Sequence, residues 1–342
     1  MNAPSHLWLP EFTRSAADLL SVVVPVYNER DVLPLFCERL KQSLGRLQLR
    51  HEILFVDDGS QDGSADFLRL YALSDPAVKV IVLSRNFGKE AAVTAGFEHA
   101  AGDAVILLDA DLQDPPELIP DMVAAWREGA DVVCMRRRSR AGETWFKRTS
   151  ASLYYRLLNR LSRFDIPHDT GDFRLMSRRA VNALNQLPER NRYMKGLFAW
   201  IGLPTQVLLY DREPRAAGQT KWQLPALIGL AFEGITSFST APLRWTTLAG
   251  VVASLWGALF GLWIVMKALV LGDPVAGYPS LIAVLTFLGG VQLLTVGLLG
   301  EYVGKIYMEV KQRPVYLVQD VTASTVVATS NTERADRHVA TR

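Results

Sequence analysis

The stretch AVILLDADLQDPPE, Ala104 to Glu117, decides how the chain folds. Its apolar start has the composition of a strand buried on both faces. Pro115 and Pro116 stop regular structure from continuing. Asp109 and Asp111 therefore fall at the carboxyl end of a central strand, where open α/β sheets bind ligands. Two acids one residue apart, with the Gln113 amide two further on, offer hard oxygen ligands suited to Mg²⁺ or Mn²⁺, and such a cation can hold a diphosphate. Aspartates also cap strand ends in turns. Taken alone, the stretch leaves a metal site and a capped turn both open.

Working outward, strands and helices alternate on both sides of this turn. Strands are predicted at Ser21–Tyr27, His51–Asp58, Val78–Asn86, Ala104–Asp111 and Asp131–Met135. Helical patterns fill Glu29–Leu44, Asp62–Leu73, Lys89–Ala101 and Glu117–Glu128. Such alternation with short loops implies an α/β fold with mainly parallel strands and right-handed crossovers. No GxGxxG follows the first strand, so the dinucleotide fingerprint is missing. Further on come an amphipathic basic helix over Gly142–Arg163, the loop HDTGDFRL (His168–Leu175), helices near Ser177–Leu187 and Tyr193–Ile201, and an edge strand at Thr205–Asp211.

Composition narrows the class of function. In 342 residues the formal net charge is only +2, without the concentrated basic face of a nucleic-acid binder. Cys37 and Cys134 form no CxxC pair and suggest a reducing compartment. The five histidines lack zinc-ligand spacing. Two segments stand apart. Trp245–Leu271 is interrupted only by Lys267, and Ser280–Gly300 carries no formal charge. Each has about the 20 residues needed to span a hydrocarbon core. Arg212, Arg215, Lys221 and Arg244 precede the first; Lys305, Lys311 and Arg313 follow the second, whereas the connection GDPVAGYP has no Lys or Arg. The positive-inside rule places both chain ends in the cytoplasm. Lys267, near the outer end of its helix, is expected to snorkel.

The predicted division is a flexible N-terminus (1–18), a cytoplasmic catalytic domain (19–222), an interfacial helix (223–243), membrane helices at 244–271 and 280–302, a juxtamembrane segment (303–318) and a disordered tail (319–342). Four strand ends bring Tyr27, Asn28 and Glu29, Asp57 and Asp58, Arg85 and Asn86, and Asp109 and Asp111 to one rim. Acids gathered at one edge repel unless a cation or ligand donors intervene.

PVYNE (Pro25–Glu29), VDDGSQDGS (Val56–Ser64), NFGKEAAVTAG (Asn86–Gly96) and LDADLQDPPE (Leu108–Glu117) resemble family-2 glycosyltransferases of the GT-A fold, a Rossmann-like, mainly parallel sheet. More narrowly the chain is similar to the polyprenyl-phosphate glycosyltransferases. DTGDFRLMSRRAV (Asp169–Val181), LPERNRYMKGLFAWIG (Leu187–Gly202), ITSFSTAPL (Ile235–Leu243) and GLLGEYVGKIY (Gly297–Tyr307) point to the bactoprenol glucosyltransferase branch. The resemblance implies that Pro25, Tyr27, Glu29 and Asp57 hold the nucleotide's base and ribose, with Asp58 near the diphosphate. It makes Asp109 and Asp111 the DxD motif, with Asp111 and Gln113 as metal ligands, and Arg136, Arg148 and Lys221 the acceptor-phosphate ligands. Asp172 stands at the position of a base or acceptor-site organiser. Arg137, Arg138 and Arg140 make the neighbourhood of the acceptor-phosphate ligands strongly basic, and most of these extra arginines are read as facing anionic headgroups.

The resemblance further implies a bacterial inner-membrane enzyme. Its partners would be a nucleotide sugar donor, a polyprenyl phosphate lipid acceptor and membrane lipids, and its relatives suggest a homo-tetramer. The expected reaction is inverting transfer of a hexose, glucose from UDP-glucose by branch, to undecaprenyl phosphate. Aminoarabinose, N-acetylglucosamine or GDP-mannose donors remain open. A processive polysaccharide synthase would carry QxxRW, but Ala241 occupies the Gln position before Arg244-Trp245. A non-catalytic scaffold would not need every acid of DDGS and DADLQD.

Overall fold

The computed structural model describes residues 18–138, 160, 170–211, 236–237, 239–271 and 277–322. By its internal contacts the chain divides into two units, one from residues 1–155, 164–223 and 314–342, the other from residues 156–163 and 224–313.

In the first unit the described strands form one sheet of eight, in the order β7-β5-β6-β4-β1-β2-β3-β8. The strands are β1 (Leu19–Val26), β2 (Arg50–Asp57), β3 (Val78–Leu83), β4 (Ala104–Leu107), β5 (Val132–Arg137), β6 (Thr170–Ser177), β7 (Thr205–Tyr210) and β8 (Val318–Thr322). β1 pairs in parallel with β2 and β4, β2 with β3, and β5 with β7, so the sheet is mainly parallel as expected. Its register aligns the functional ends. Val26 lies opposite Asp57, and Val23 lies opposite Leu107, two residues before Asp109.

The helices of this unit are α1 (Leu33–Gly45), α2 (Ser64–Ser74), α3 (Lys89–His99), α4 (Ile119–Arg127), α5 (Arg178–Asn185) and α6 (Met194–Trp200). In α1, Leu33, Phe36, Cys37, Leu40 and Leu44 are buried at helical spacing, the apolar stripe that sets such a helix on a sheet. α3 is unusual in burying Ala91 to Phe97 without a break. Its small residues let it lie close to β1: a Cβ at Gly96 would sit 2.2 Å from Val23 Cγ1. Position 96 therefore excludes any larger residue. Cys37 and Cys134 are buried free thiols.

Two sequence expectations change in this unit. The segment read as the loop HDTGDFRL is, from Thr170, the strand β6, antiparallel to β4 and β5 in the middle of the sheet. A buried arginine hides it: Arg174 is 3 % exposed, with its guanidinium 3.6 Å from the centre of the Phe198 ring and bonded to Gly171 O and Asp172 O. The tail read as disordered from residue 319 begins instead with β8, antiparallel to β3. Ser84 N donates to Leu317 O (2.9 Å), Tyr316 donates its hydroxyl to Glu98 Oε2 (2.5 Å), and Arg69 pairs with Asp320 at 3.3 Å. These long-range contacts hold a polar, exposed strand that its own composition does not signal.

The second unit contains α7 (Ala241–Leu271, 31 residues) and α8 (Tyr278–Lys311, 34 residues). Both are long and apolar enough to cross a membrane; at 1.5 Å per residue each runs for more than about 45 Å. α8 absorbs most of the segment expected to be a separate juxtamembrane piece after residue 302. Glu301 and Lys305 lie at the supportive i, i+4 spacing. The helix ends only where Gln312 turns left-handed (φ 48°), two residues before Pro314. Lys305 Nζ bonds the Thr236 and Ser237 hydroxyls at 2.6 and 3.0 Å, and Tyr302 donates to Ser239 O. Lys267 lies 5.9 Å from the Trp263 ring centre. The interfacial helix expected over 223–243 lies mostly outside the described residues; Ala241–Leu243 belong to α7.

Candidate active site

The carboxyl ends of β1 and β2 are tied together by their loops. Asp58 N donates to Val26 O, Asn28 N to Ser60 Oγ, Gln61 N to Asn28 Oδ1 and Glu29 N to Ser64 Oγ, all at 2.8–3.1 Å. Asn28 adopts φ 53°, and Tyr27 is left 38 % exposed beside Pro25 at the rim. Gly59 is forced by its surroundings: φ is +69°, and a Cβ would lie 2.5 Å from the Arg85 carbonyl carbon. This close approach lets Asp58 accept the N–H groups of Phe87 (2.7 Å) and Gly88 (2.9 Å). Asp57 is fully buried; Oδ2 accepts Ser60 N, whereas Oδ1 has no hydrogen-bond partner among the described residues. Burial raises both carboxyls above their usual range, against the backbone donors that favour the ionised form.

Those two amides lead directly into α3, whose first residue makes the central contact of the rim. Lys89 Nζ lies 2.7 Å from Asp109 Oδ1 and 2.6 Å from Asp172 Oδ2. One ammonium thus joins the end of β4 to β6. Desolvation works against the Lys89 charge, but the two carboxylates outweigh it and hold the ammonium well above its ordinary pKa. Burial would likewise raise Asp172; Lys89, Lys195 and Arg174 prevail and keep it far below the usual carboxylate range. The neighbouring Glu90 goes the other way. Burial and the negative charge of Asp172 push it up to about 8, despite Lys89, Lys195 and the Met194 N–H.

Beyond Asp109 the chain makes a tight turn. Leu112, buried, takes φ 59°, and Asp111 Oδ1 accepts Gln113 N at 3.1 Å. A buried, branched-γ residue in the left-handed region signals a turn held by its surroundings. Asp114, 2 % exposed, accepts the hydroxyl of Tyr210 from β7. Among the described residues no three His, Cys, Asp or Glu side chains are grouped to hold a metal ion. The donor set here is two carboxylates and an amide. That fits a hard cation held by one or two protein carboxylates with phosphate oxygens completing its shell, and does not fit an all-protein cage.

Of the acceptor-phosphate candidates, Arg136 is exposed on β5, opposite Thr170. Arg148 and Lys221 lie outside the described residues. Of the extra arginines, Arg137 hydrogen-bonds the Tyr210 phenol, and Arg138 pairs with Asp211 at 3.5 Å. Sequence reasoning overlooked Lys89, Glu90 and the Asp114–Tyr210 contact. The adjacent charges of NFGKEAAVTAG, opening an otherwise small and apolar helix after a strand end, are the signal that could have found the first two.

Residues 21–184 match the model of glycosyl transferase family 2. An uncharacterized glycosyltransferase of Synechocystis sp. is 50 % identical over 302 residues, covering 88 % of this chain and 95 % of that protein. The SfII prophage-derived bactoprenol glucosyl transferase of Shigella flexneri is 47 % identical over 301 residues, 88 % and 97 % of the two chains. The prophage bactoprenol glucosyl transferase homolog of Escherichia coli is 44 % identical over 303 residues, 88 % and 99 %. Similarity at this level across both the rim and the two apolar helices leaves one assignment: the chain belongs to glycosyl transferase family 2 and is a glycosyltransferase.

Proposed function

We propose that this enzyme transfers a hexose, glucose from UDP-glucose, to the phosphate of undecaprenyl phosphate at the cytoplasmic face of a bacterial inner membrane. The observation that carries this reading is one chain joining an acid-lined sheet rim to two apolar helices. Relatives named for bactoprenol glucosyl transfer match it over 88 % of its length. A lipid acceptor explains why a sugar-transfer domain should be continuous with such helices, and the Lys/Arg bias of their flanks supports a cytoplasmic rim.

The residues divide the work. Pro25, Tyr27, Glu29 and Asp57 receive the base and ribose, and the unpartnered Asp57 Oδ1 suits a donor on the nucleoside. Asp58 fixes the loop before α3 beside the diphosphate. Asp109, Asp111 and Gln113 are the metal-binding set, where Mg²⁺ or Mn²⁺, when bound, would neutralise charge developing on the departing diphosphate. The acceptor phosphate has a second pKa of about 6 and is already an oxygen nucleophile near neutral pH. It attacks the anomeric carbon from the side opposite the nucleotide; the new C–O bond forms as the bond to the diphosphate breaks, inverting the centre. No strong base is required. Asp172, held ionised by Lys89, Lys195 and Arg174, is a weak proton acceptor, which favours an organising role. Arg136, with Arg148 and Lys221, positions the acceptor phosphate.

The test is mass spectrometry of the lipid product formed by the purified full chain from undecaprenyl phosphate and a panel of nucleotide sugars. Hexosyl undecaprenyl phosphate from UDP-glucose is expected. Strong transfer of aminoarabinose, N-acetylglucosamine or mannose with only trace glucosyl product would overturn the sugar, and a soluble polymer would overturn the acceptor.

A further inference from the structure

Both carboxylate oxygens of Asp109, first acid of the DAD turn, already face a cation of the chain itself. Lys89 Nζ stands 2.7 Å from Oδ1 and 2.8 Å from Oδ2, while also touching Asp172 at 2.6 Å. The two carboxylates differ in what else compensates them. Asp172 is also stabilised by Lys195 and Arg174, so it stays balanced if the Lys89 ammonium moves. Among the described residues, Lys89 is the only cation in ion-pair contact with Asp109. The lysine side chain is 44 % exposed, so solvent and a bound anion can reach it. Its backbone, by contrast, is fixed at the start of α3, directly after the two amides bound by Asp58.

We propose that Lys89 is a positioning residue that occupies the cation's place on Asp109 until a diphosphate arrives, making metal binding depend on the donor. This rests on the reading of Asp109 and Asp111 as the metal-binding pair. Two adjacent carboxylates in a site without a cation repel each other, and an intramolecular ammonium relieves that repulsion at no cost in association. A divalent ion alone must displace Lys89 from Asp109. An ion accompanied by a diphosphate does so more readily, because the phosphate oxygens complete its shell and give the displaced ammonium an anion to bind. The lysine thereby couples the donor half of the site to Asp172 on β6. No bond is made or broken in the exchange; only ionic partners change.

Binding of Mn²⁺ alone, read by the electron paramagnetic resonance of the free ion, tests this on the full chain in detergent, with and without UDP. Wild type is expected to bind Mn²⁺ weakly alone and more tightly with UDP. Lys89→Met should bind Mn²⁺ without UDP about fivefold more tightly than wild type, the scale of a lost part-exposed ion pair, and should show a smaller gain from UDP. Lys89→Arg, which keeps the charge, should behave as wild type. Lys89→Gln provides the same comparison as Lys89→Met if the latter does not fold. Mn²⁺ affinity unchanged in folded Lys89→Met or Lys89→Gln, with wild type still binding Mn²⁺ plus UDP, would overturn the role of Lys89 and leave the metal site standing. No Mn²⁺ binding by any of these proteins even with UDP would overturn both.

Discussion

Tyr210, the last residue of β7, donates its hydroxyl to the buried carboxylate of Asp114, 96 residues earlier in the chain. An edge strand thereby holds the turn that carries Asp109, Asp111 and Gln113. Burial and the Asp114 charge both keep the Tyr210 phenol protonated, so it serves as a donor at any physiological pH. Tyr210→Phe removes that donor while keeping the ring against Phe173, whose centre lies 6.2 Å away. A loss of about 1–2 kcal/mol in stability is expected, read by chemical denaturation, with a raised KM for the nucleotide sugar as the turn loosens. An unchanged midpoint and KM would remove the contact from the site's support.

Gly59 ties the second strand to the loop before Lys89. Gly59→Ala places a Cβ against the Arg85 and Asn86 backbone at a positive φ. Steric strain of this kind costs about 1–3 kcal/mol. The displaced loop should also lose the Phe87 and Gly88 amides from Asp58. The expected result is a lower melting temperature with donor KM raised more than acceptor KM; equal changes in the two would argue against a donor-side role for this loop.

Glu90 gives the enzyme a pH signature. Its carboxyl is raised from 4.5 to about 8 by burial and Asp172, with Lys89, Lys195 and the Met194 N–H opposing. Between those values the folded chain holds a proton that the unfolded chain has released, so this group makes stability fall as pH rises. Its contribution to the slope cannot exceed about 1.4 kcal/mol per pH unit. Glu90→Gln should flatten that part of the stability–pH curve from pH 5 to 8, measured by denaturant unfolding. A slope identical to wild type would show that Glu90 ionises at its ordinary pKa.

Much of this site is visible in the chain itself, and its omissions share a cause. β1 to β4 announce themselves because parallel, doubly buried strands need continuous apolar runs, and the acids that follow them mark the rim. β6 is hidden because Arg174 occupies a sheet-centre position, made tolerable by the ring of Phe198, 24 residues later, and by the carbonyl oxygens of Gly171 and Asp172, which bond it only once the strand is in place. β8 is equally silent: VQDVT becomes a strand through β3, Glu98 and Arg69. Lys89 reads as an ordinary helix start, since nothing local says that its ammonium meets residues 20 and 83 positions later. Periodicity reports one element at a time, whereas ionic bridges between elements depend on register.

The metal-binding role of the DAD turn in lipid glycosylation is the central claim. Its most direct test is transfer of radiolabelled glucose from UDP-glucose to undecaprenyl phosphate by wild type and Asp111→Asn, with Mg²⁺ in detergent. Labelled lipid from wild type, and none from an Asp111→Asn protein with native circular dichroism, is the expected result. Near-native transfer by folded Asp111→Asn would contradict it.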